Sequence, residues 1–171
     1  GRFDKRITEG KEQRLLCSEY HTPPKCFPTI DFRLLEPFTV IRHPISRLIS
    51  EFNYLKTFEK PKKNYHFKYT DINQFVEENL QAGNYKYDCH LIPQVDFVVD
   101  RYGNECETFL RFENLNHDVD WFLQRHNLKR TNYKNVKKLK SLPHKNENDL
   151  TEKSKQKILE FYKKDLELWK R

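Results

Sequence analysis

The chain contains no methionine and no Cys-x-x-Cys pair, and no part of it is a long apolar run. Each absence narrows the reading. Nothing approaches the ~20 apolar residues that span a bilayer, so there is no transmembrane-helix candidate. Cys17, Cys26, Cys89 and Cys106 lack zinc-ligand spacing. They fit either two disulfides in an oxidising compartment or buried thiols in the cytosol. There is no convincing metal cluster, no internal repeat and no low-complexity block. With no initiator methionine and no signal peptide visible at the N-terminus, the chain is expected to be a mature product or an internal fragment.

What is present points to a folded domain. The 171 residues suit one unit, residues 1–171. The hydrophobic fraction is only 36% and mean hydropathy is −0.96, yet there are 13 Phe, 9 Tyr and 2 Trp. Disordered chains are poor in aromatics, so a small aromatic core under a polar surface is expected. Lys and Arg total 32 against 25 Asp and Glu, a formal charge of +7. That bias is either a solvated surface or the mark of an anionic partner: a nucleotide, a nucleic acid, or a sulfated or acidic glycan.

Along the chain, Glu12–Tyr20 carries a helical pattern, and Pro23, Pro24 and Pro28 make the next segment a loop. Phe38–Ile41 reads as a short buried strand, followed by a helix over about Ile45–Leu55. Thr70 is placed to cap a helix over Asp71–Leu80 that ends near Gly83. Val95–Val99 and Thr108–Phe112 read as strands around a turn containing Gly103. Asp118 is placed to cap a helix over Val119–His126. Thr151 is placed to cap a long last helix to about Trp169, with Ile158, Leu159, Tyr162, Leu166 and Trp169 on one face. Alternating strands and helices predict an α/β fold with a mainly parallel sheet. Such folds bind ligands beyond the carboxyl ends of their strands.

Arg42 sits at such an end, in the stretch FTVIRHPISRLISEFNYL. A guanidinium at a strand tip beside a helix N-terminus suits a phosphate. Pro44 fits a first helical turn, where its missing N–H is harmless. Ser46 and Ser50 are one turn apart, and Ser50 is placed to add a hydrogen bond to an anion held by Arg42. The alternative is an Arg42 in an ordinary salt bridge and a Ser50 facing solvent.

Phe38–Tyr54 resembles the second nucleotide-binding motif of sulfotransferases that use 3′-phosphoadenosine 5′-phosphosulfate (PAPS). There a strand ends in Arg-Asp-Pro and a Ser follows on the next helix; Arg42 and Ser50 keep the spacing, while His43 replaces Asp. Asp88-Cys89-His90-Leu91-Ile92-Pro93-Gln94 is similar to the D-x-H-x-x-P-Q segment of the carbohydrate (heparan and chondroitin) branch. Leu110–Leu115 with Asp118 and Phe122 resembles its E-N-L…D…F strand and helix. Leu142–Asn146, with Tyr162 and Asp165 in the terminal helix, resembles its C-terminal signature. The likeness runs from about Tyr20 to the end. The family's H-x-P-K-x-x-G-T-S phosphosulfate loop has no counterpart in residues 1–40, where Thr22-Pro23-Pro24-Lys25 lacks the Gly-Thr-Ser tail. The N-terminal strand and loop are therefore expected to be missing from this chain, with a divergent, inactive protein as the alternative.

The resemblance implies a P-loop-NTPase-like three-layer fold with a mainly parallel central sheet flanked by helices. It implies transfer of a sulfuryl group from PAPS, leaving the nucleotide PAP, to a hydroxyl of a carbohydrate acceptor, acidic glycans included. Arg42 and Ser50 would hold the 3′-phosphate, with Lys145 and Asn146 as further cofactor-binding residues. His21 is the first candidate for the base and His90 the second, since imidazole suits proton transfer near neutral pH. His43 is expected to shape the phosphate loop, and His66, His117, His126 and His144 to be structural or exposed. The basic run of Lys134, Lys137, Lys138, Lys140 and Lys145 is a solvated loop or a closure over the nucleotide. Lys62, Lys63, Tyr65, Phe67 and Tyr69 are candidates to line an acceptor cleft. No metal is required. The competing readings are a non-catalytic nucleotide- or nucleic-acid-binding domain and a P-loop kinase, the last a poor match without a Walker A motif. No nucleic-acid-binding signature is present. Composition favours a bacterial or viral cytoplasmic protein, with the Golgi lumen the alternative if an anchor was removed.

Overall fold

The computed structural model describes residues 6–8, 11–13, 21–57, 67–81, 89–131 and 145–171. Strands β1 (Arg6–Thr8) and β2 (Lys11–Gln13) pair antiparallel. Strands β3 (Phe38–Ile41) and β4 (Thr108–Arg111) pair parallel, with Phe38 opposite Thr108 and Ile41 opposite Arg111. The helices are α1 (Pro44–Lys56), α2 (Ile72–Asn79), α3 (Leu115–Arg125), α4 (Glu152–Phe161) and α5 (Lys163–Trp169). A parallel pair needs a crossover, and the chain between β3 and β4 supplies one that includes α1 and α2. The class is mixed α/β, as expected. Of the expected central sheet, the described residues contain this one parallel pair.

Helix α1 follows the anticipated pattern. Pro44 opens it, and Ile45, Leu48, Phe52 and Leu55 recur at helical spacing and are buried. They pack with Ile72, Phe75 and Val76 of α2, Leu150, and Ile158 and Tyr162 around α4. Phe52 meets Phe67 and Phe75 edge-on, both at 5.5 Å between ring centroids. Each fully buried ring of this kind is worth about 1.5–3 kcal/mol of hydrophobic stabilisation. Phe67 and Tyr69 belong to this core, which corrects their proposed place in an acceptor cleft; Lys62, Lys63 and Tyr65 lie outside the described residues. A smaller cluster of Ile41, Val98, Cys106 and Leu168 joins the strand pair to α5.

Several boundaries differ from the sequence reading. Glu12 is in strand β2, not a helix, because it pairs with Ile7 of β1, and residues 14–20 of the expected helix lie outside the described residues. Asp71, not Thr70, caps α2, accepting the Asn73 N–H at 2.9 Å. Residues 95–99 do not form a strand. The backbone N–H groups of Gln94 and Val95 bond the Asp165 carboxylate, and Gln94–Phe97 winds into a 3-10 turn, leaving an isolated bridge between Val99 and Glu105. The following turn contains Gly103 at φ 85°, the left-handed region that glycine adopts freely. Helix α3 begins at Leu115, earlier than expected, and Asp118 accepts the Arg111 N–H at the end of β4 instead of capping. Thr151 caps α4 as anticipated, but the last helix is two, divided at Tyr162. The α5 face is consequently rotated so that Asp165 and Leu168 are the buried positions.

Candidate functional site

The site is built where β3 runs into α1. Two carboxamides bracket this region. Gln94 accepts the Arg42 N–H and donates to the Arg42 carbonyl, both at 2.8 Å, so it acts on Arg42 as a neighbouring strand would. Asn53 does the same to Lys145, accepting its N–H and donating to its carbonyl, again at 2.8 Å. The first bracket fixes the residue at the strand tip. The second brings the 145–149 segment beside the part of α1 that also carries Ser50.

The Arg42 guanidinium lies over the Phe112 ring, 4.2 Å from its centroid. Its Nε is buried and has no hydrogen-bond partner. Burial pushes the Arg42 pKa down, and the Glu113 charge partly offsets this. Among the described residues Arg42 is thus not in the ordinary salt bridge considered as an alternative. Ser50 is exposed on α1 and makes no hydrogen bond among the described residues.

The α1 N-terminus differs from expectation. Glu113 occupies it: one carboxylate oxygen accepts the His43 N–H at 2.9 Å and the Ser46 hydroxyl at 3.1 Å, and the other accepts the Trp169 indole N–H at 3.1 Å. Burial pushes the Glu113 carboxyl up, but the bonds from His43, Trp169 and Ser46 outweigh it and hold the group below its usual range. Ser46 is therefore engaged. His43 stands edge-on to Trp169 at 5.0 Å, a loop-shaping contact.

His21 and His90 come together although they are 69 residues apart. Their Nε2 atoms are 2.9 Å apart, and their rings meet edge-on at 4.2 Å. His90 Nδ1 lies 3.1 Å from the Glu51 carboxylate on α1. With Arg47, Cys89 and Phe97 these three side chains line a cavity of about 220 Å³. Which ring nitrogen donates and which accepts in this chain is set by the tautomer each histidine holds. Glu51 was not anticipated; no sequence spacing links it to His21.

Lys145 pairs with Asp149 at 2.9 Å, and Asn146 caps the turn at 147–149 in a capping box. Both anticipated cofactor-binding side chains are thus engaged in holding their own loop. His126 stacks on Phe122 at 4.4 Å, and His117 is exposed beside Asp118. His66, His144, Lys134, Lys137, Lys138 and Lys140 lie outside the described residues. Two larger clefts, about 400 and 490 Å³, border β4, the second also reaching Ile41 of β3, and contain none of Arg42, Ser50, His21 or His90. No group of three or more His, Cys, Asp or Glu side chains among the described residues is arranged to hold a metal ion. Cys89 is disulfide-bonded, while Cys26 and the buried Cys106 are free thiols.

The model of the sulfotransferase family matches residues 32–170. The chain belongs to the sulfotransferase family. That match spans the strand tip, Gln94, Glu113 and the C-terminal helices of this sulfotransferase; His21 precedes it. A search of curated proteins and a search of solved structures each give no match. No helix among the described residues is long and apolar enough to cross a membrane.

Proposed function

We propose that this sulfotransferase takes its sulfuryl group from PAPS and transfers it to a hydroxyl of a carbohydrate, on a single domain of the P-loop-like three-layer type. The observation that carries the donor assignment is the buried, unpaired Nε of Arg42 at the tip of β3. A buried donor without a partner is costly, and a phosphate oxygen relieves that cost. Phe112 already holds the guanidinium plane, so the arginine loses little freedom on binding. Arg42 and the exposed hydroxyl of Ser50 would hold the 3′-phosphate. Ser46 is already engaged by Glu113, which leaves the anion to that pair.

PAPS supplies, when bound, an activated sulfuryl group whose transfer needs positioning and positive charge more than covalent help from the protein. The chain's own contribution is the base. His21 is the proton acceptor for the attacking hydroxyl, and Glu51 supports the resulting positive charge through His90. A carbohydrate suits a base at an exposed rim, and the +7 charge favours acidic glycans. The disulfide at Cys89 favours an oxidising compartment, the lumenal alternative, over a cytoplasmic one.

The test is calorimetry of PAP binding to the full-length protein and to Arg42→Ala. Losing a charge-assisted contact costs about 1.5–3 kcal/mol, so affinity should fall roughly tenfold to a hundredfold. Unchanged affinity would overturn the assignment of the phosphate site.

A further inference from the structure

We propose that the buried Arg47–Asp165 pair is a positioning device that sets the anion clamp and the histidine pair together. This inference rests on the site reading above. Asp165 is on α5 with its side chain fully buried, and Arg47 is on α1, their charged atoms 3.6 Å apart. Among the described residues, the hydrogen bonds of the two charges go to one short turn. Arg47 donates to the carbonyls of His90 and Ile92, the latter at 2.7 Å. Asp165 accepts the N–H groups of Gln94 and Val95 at 2.7 and 3.0 Å. Tyr162, under the Arg47 guanidinium, donates to the Leu91 carbonyl at 2.8 Å. The backbone of residues 90–95 is thus held from both sides.

Two side chains leave that turn in the service of the site. His90 reaches Glu51 and His21, and Gln94 reaches the backbone of Arg42. They are four positions apart on one rigid segment, so a displacement of the turn moves both. Buried ion pairs are expensive and contribute little net stability when apolar groups can replace them. Here the charges are spent on backbone groups that fix where His90 and Gln94 point. Asp165 has no exposed side-chain surface, and Arg47, although it also lines the histidine cavity, gives its hydrogen bonds to the backbone of this turn, so both act through the other two residues.

Three variants of the full-length protein test this: Asp165→Asn, Arg47→Lys and Gln94→Ala. The readouts are thermal melting, PAP affinity, the Arg42 Nε–H resonance, and the NMR titrations of His21 and His90. An asparagine at 165 presents an N–H group where a carboxylate oxygen accepted one. The expected result for Asp165→Asn is a folded protein with PAP affinity down about tenfold, the value of one displaced charge-assisted contact, and with both histidine titrations shifted. Gln94→Ala should lower PAP affinity and shift the Arg42 resonance while leaving both histidines unmoved. Arg47→Lys should shift the histidines and Arg42 together. Lower melting temperature with wild-type affinity, resonances and titrations in Asp165→Asn overturns the proposal and leaves a purely structural pair. If Asp165→Asn does not fold, the split between Gln94→Ala and Arg47→Lys decides: its presence supports the device, and its absence rejects it. If the wild type binds no PAP, the donor reading fails, and the Arg42 and histidine resonances still decide the positioning role in the same way.

Discussion

The helical side of the molecule and the strand side are held together by different physics. Around α1, α2 and α4 the contacts are apolar, and Phe52, Ile72, Phe75, Val76 and Ile158 have no exposed surface. Around β3 and β4 the apolar cover is thin, with Phe38 and Val40 52% and 43% exposed. There the structure is tied by side chains bonding to backbone: Gln94 to Arg42, Asp165 to Gln94 and Val95, Asp118 to Arg111, Glu113 to His43, and Asp100 to Phe32, Tyr102 and Asn104. Apolar burial is non-directional and tolerates small shifts. Hydrogen bonds to single backbone groups fix position and fail one at a time. The side that must aim a guanidinium and an imidazole is the one built from directional contacts.

The largest break in this comparison is expected from Phe52→Ala. Removing a fully buried ring from the helical core should cost about 3–5 kcal/mol, read from the shift in a denaturant midpoint. Gln94→Ala is next. It leaves the Arg42 N–H and carbonyl without their bracket and should cost about 1–2 kcal/mol of stability. The ratio of binding loss to stability loss should be far higher for Gln94→Ala than for a conservative core change such as Ile72→Val. Equal ratios in the two would remove the contrast.

Acid should reach the two sides unequally. Burial opposes ionisation of Asp100, but bonds from the Asn104 side chain and from the N–H groups of Phe32, Asn104 and Tyr102 outweigh it and bring the carboxyl to about 2. Its ordinary value is 3.8, so its contribution is present above that pH and is lost as pH falls through about 2. Asp100→Asn should flatten the stability profile over that window, followed by acid titration of the near-UV circular dichroism. Glu78 on the helical side also sits at about 2, drawn down by Gln74, Lys68 and Tyr69. Its carboxylate is 40% exposed, so solvent screening leaves a smaller effect. The smallest change belongs to Lys68→Ala, which removes an exposed partner of Glu78 and a contact over the Tyr69 ring and should leave the denaturant midpoint close to that of the wild type.

Legibility followed the same division. The bounds of strand β3 and helix α1 are legible to within a residue or two, because a β-branched run, a proline at the first helical turn and apolar residues at helical spacing are local signals, but the expected burial of the strand is not found, since Phe38 and Val40 are exposed. Residues 95–99 were misread for the opposite reason. Val95, Val98 and Val99 have strand character, but a carboxylate 70 residues away takes the Val95 N–H and winds the segment into a turn. Glu113 and Gln94 lay inside quoted family-like segments, yet nothing in their neighbours says that one caps α1 and the other brackets Arg42.

What the sequence determined alone is the chemistry available at each position: a guanidinium at a strand tip, hydroxyls one turn apart on the following helix, seven imidazoles and an aromatic core. Those follow from residue type and short-range periodicity. Only the tertiary structure decided which groups meet. Arg42 and Gln94 are 52 positions apart, His21 and His90 are 69, and Gln94 and Asp165 are 71. Contacts across such separations are chosen by the global packing that places α1 and α5 on either side of one turn, and no local pattern encodes that choice.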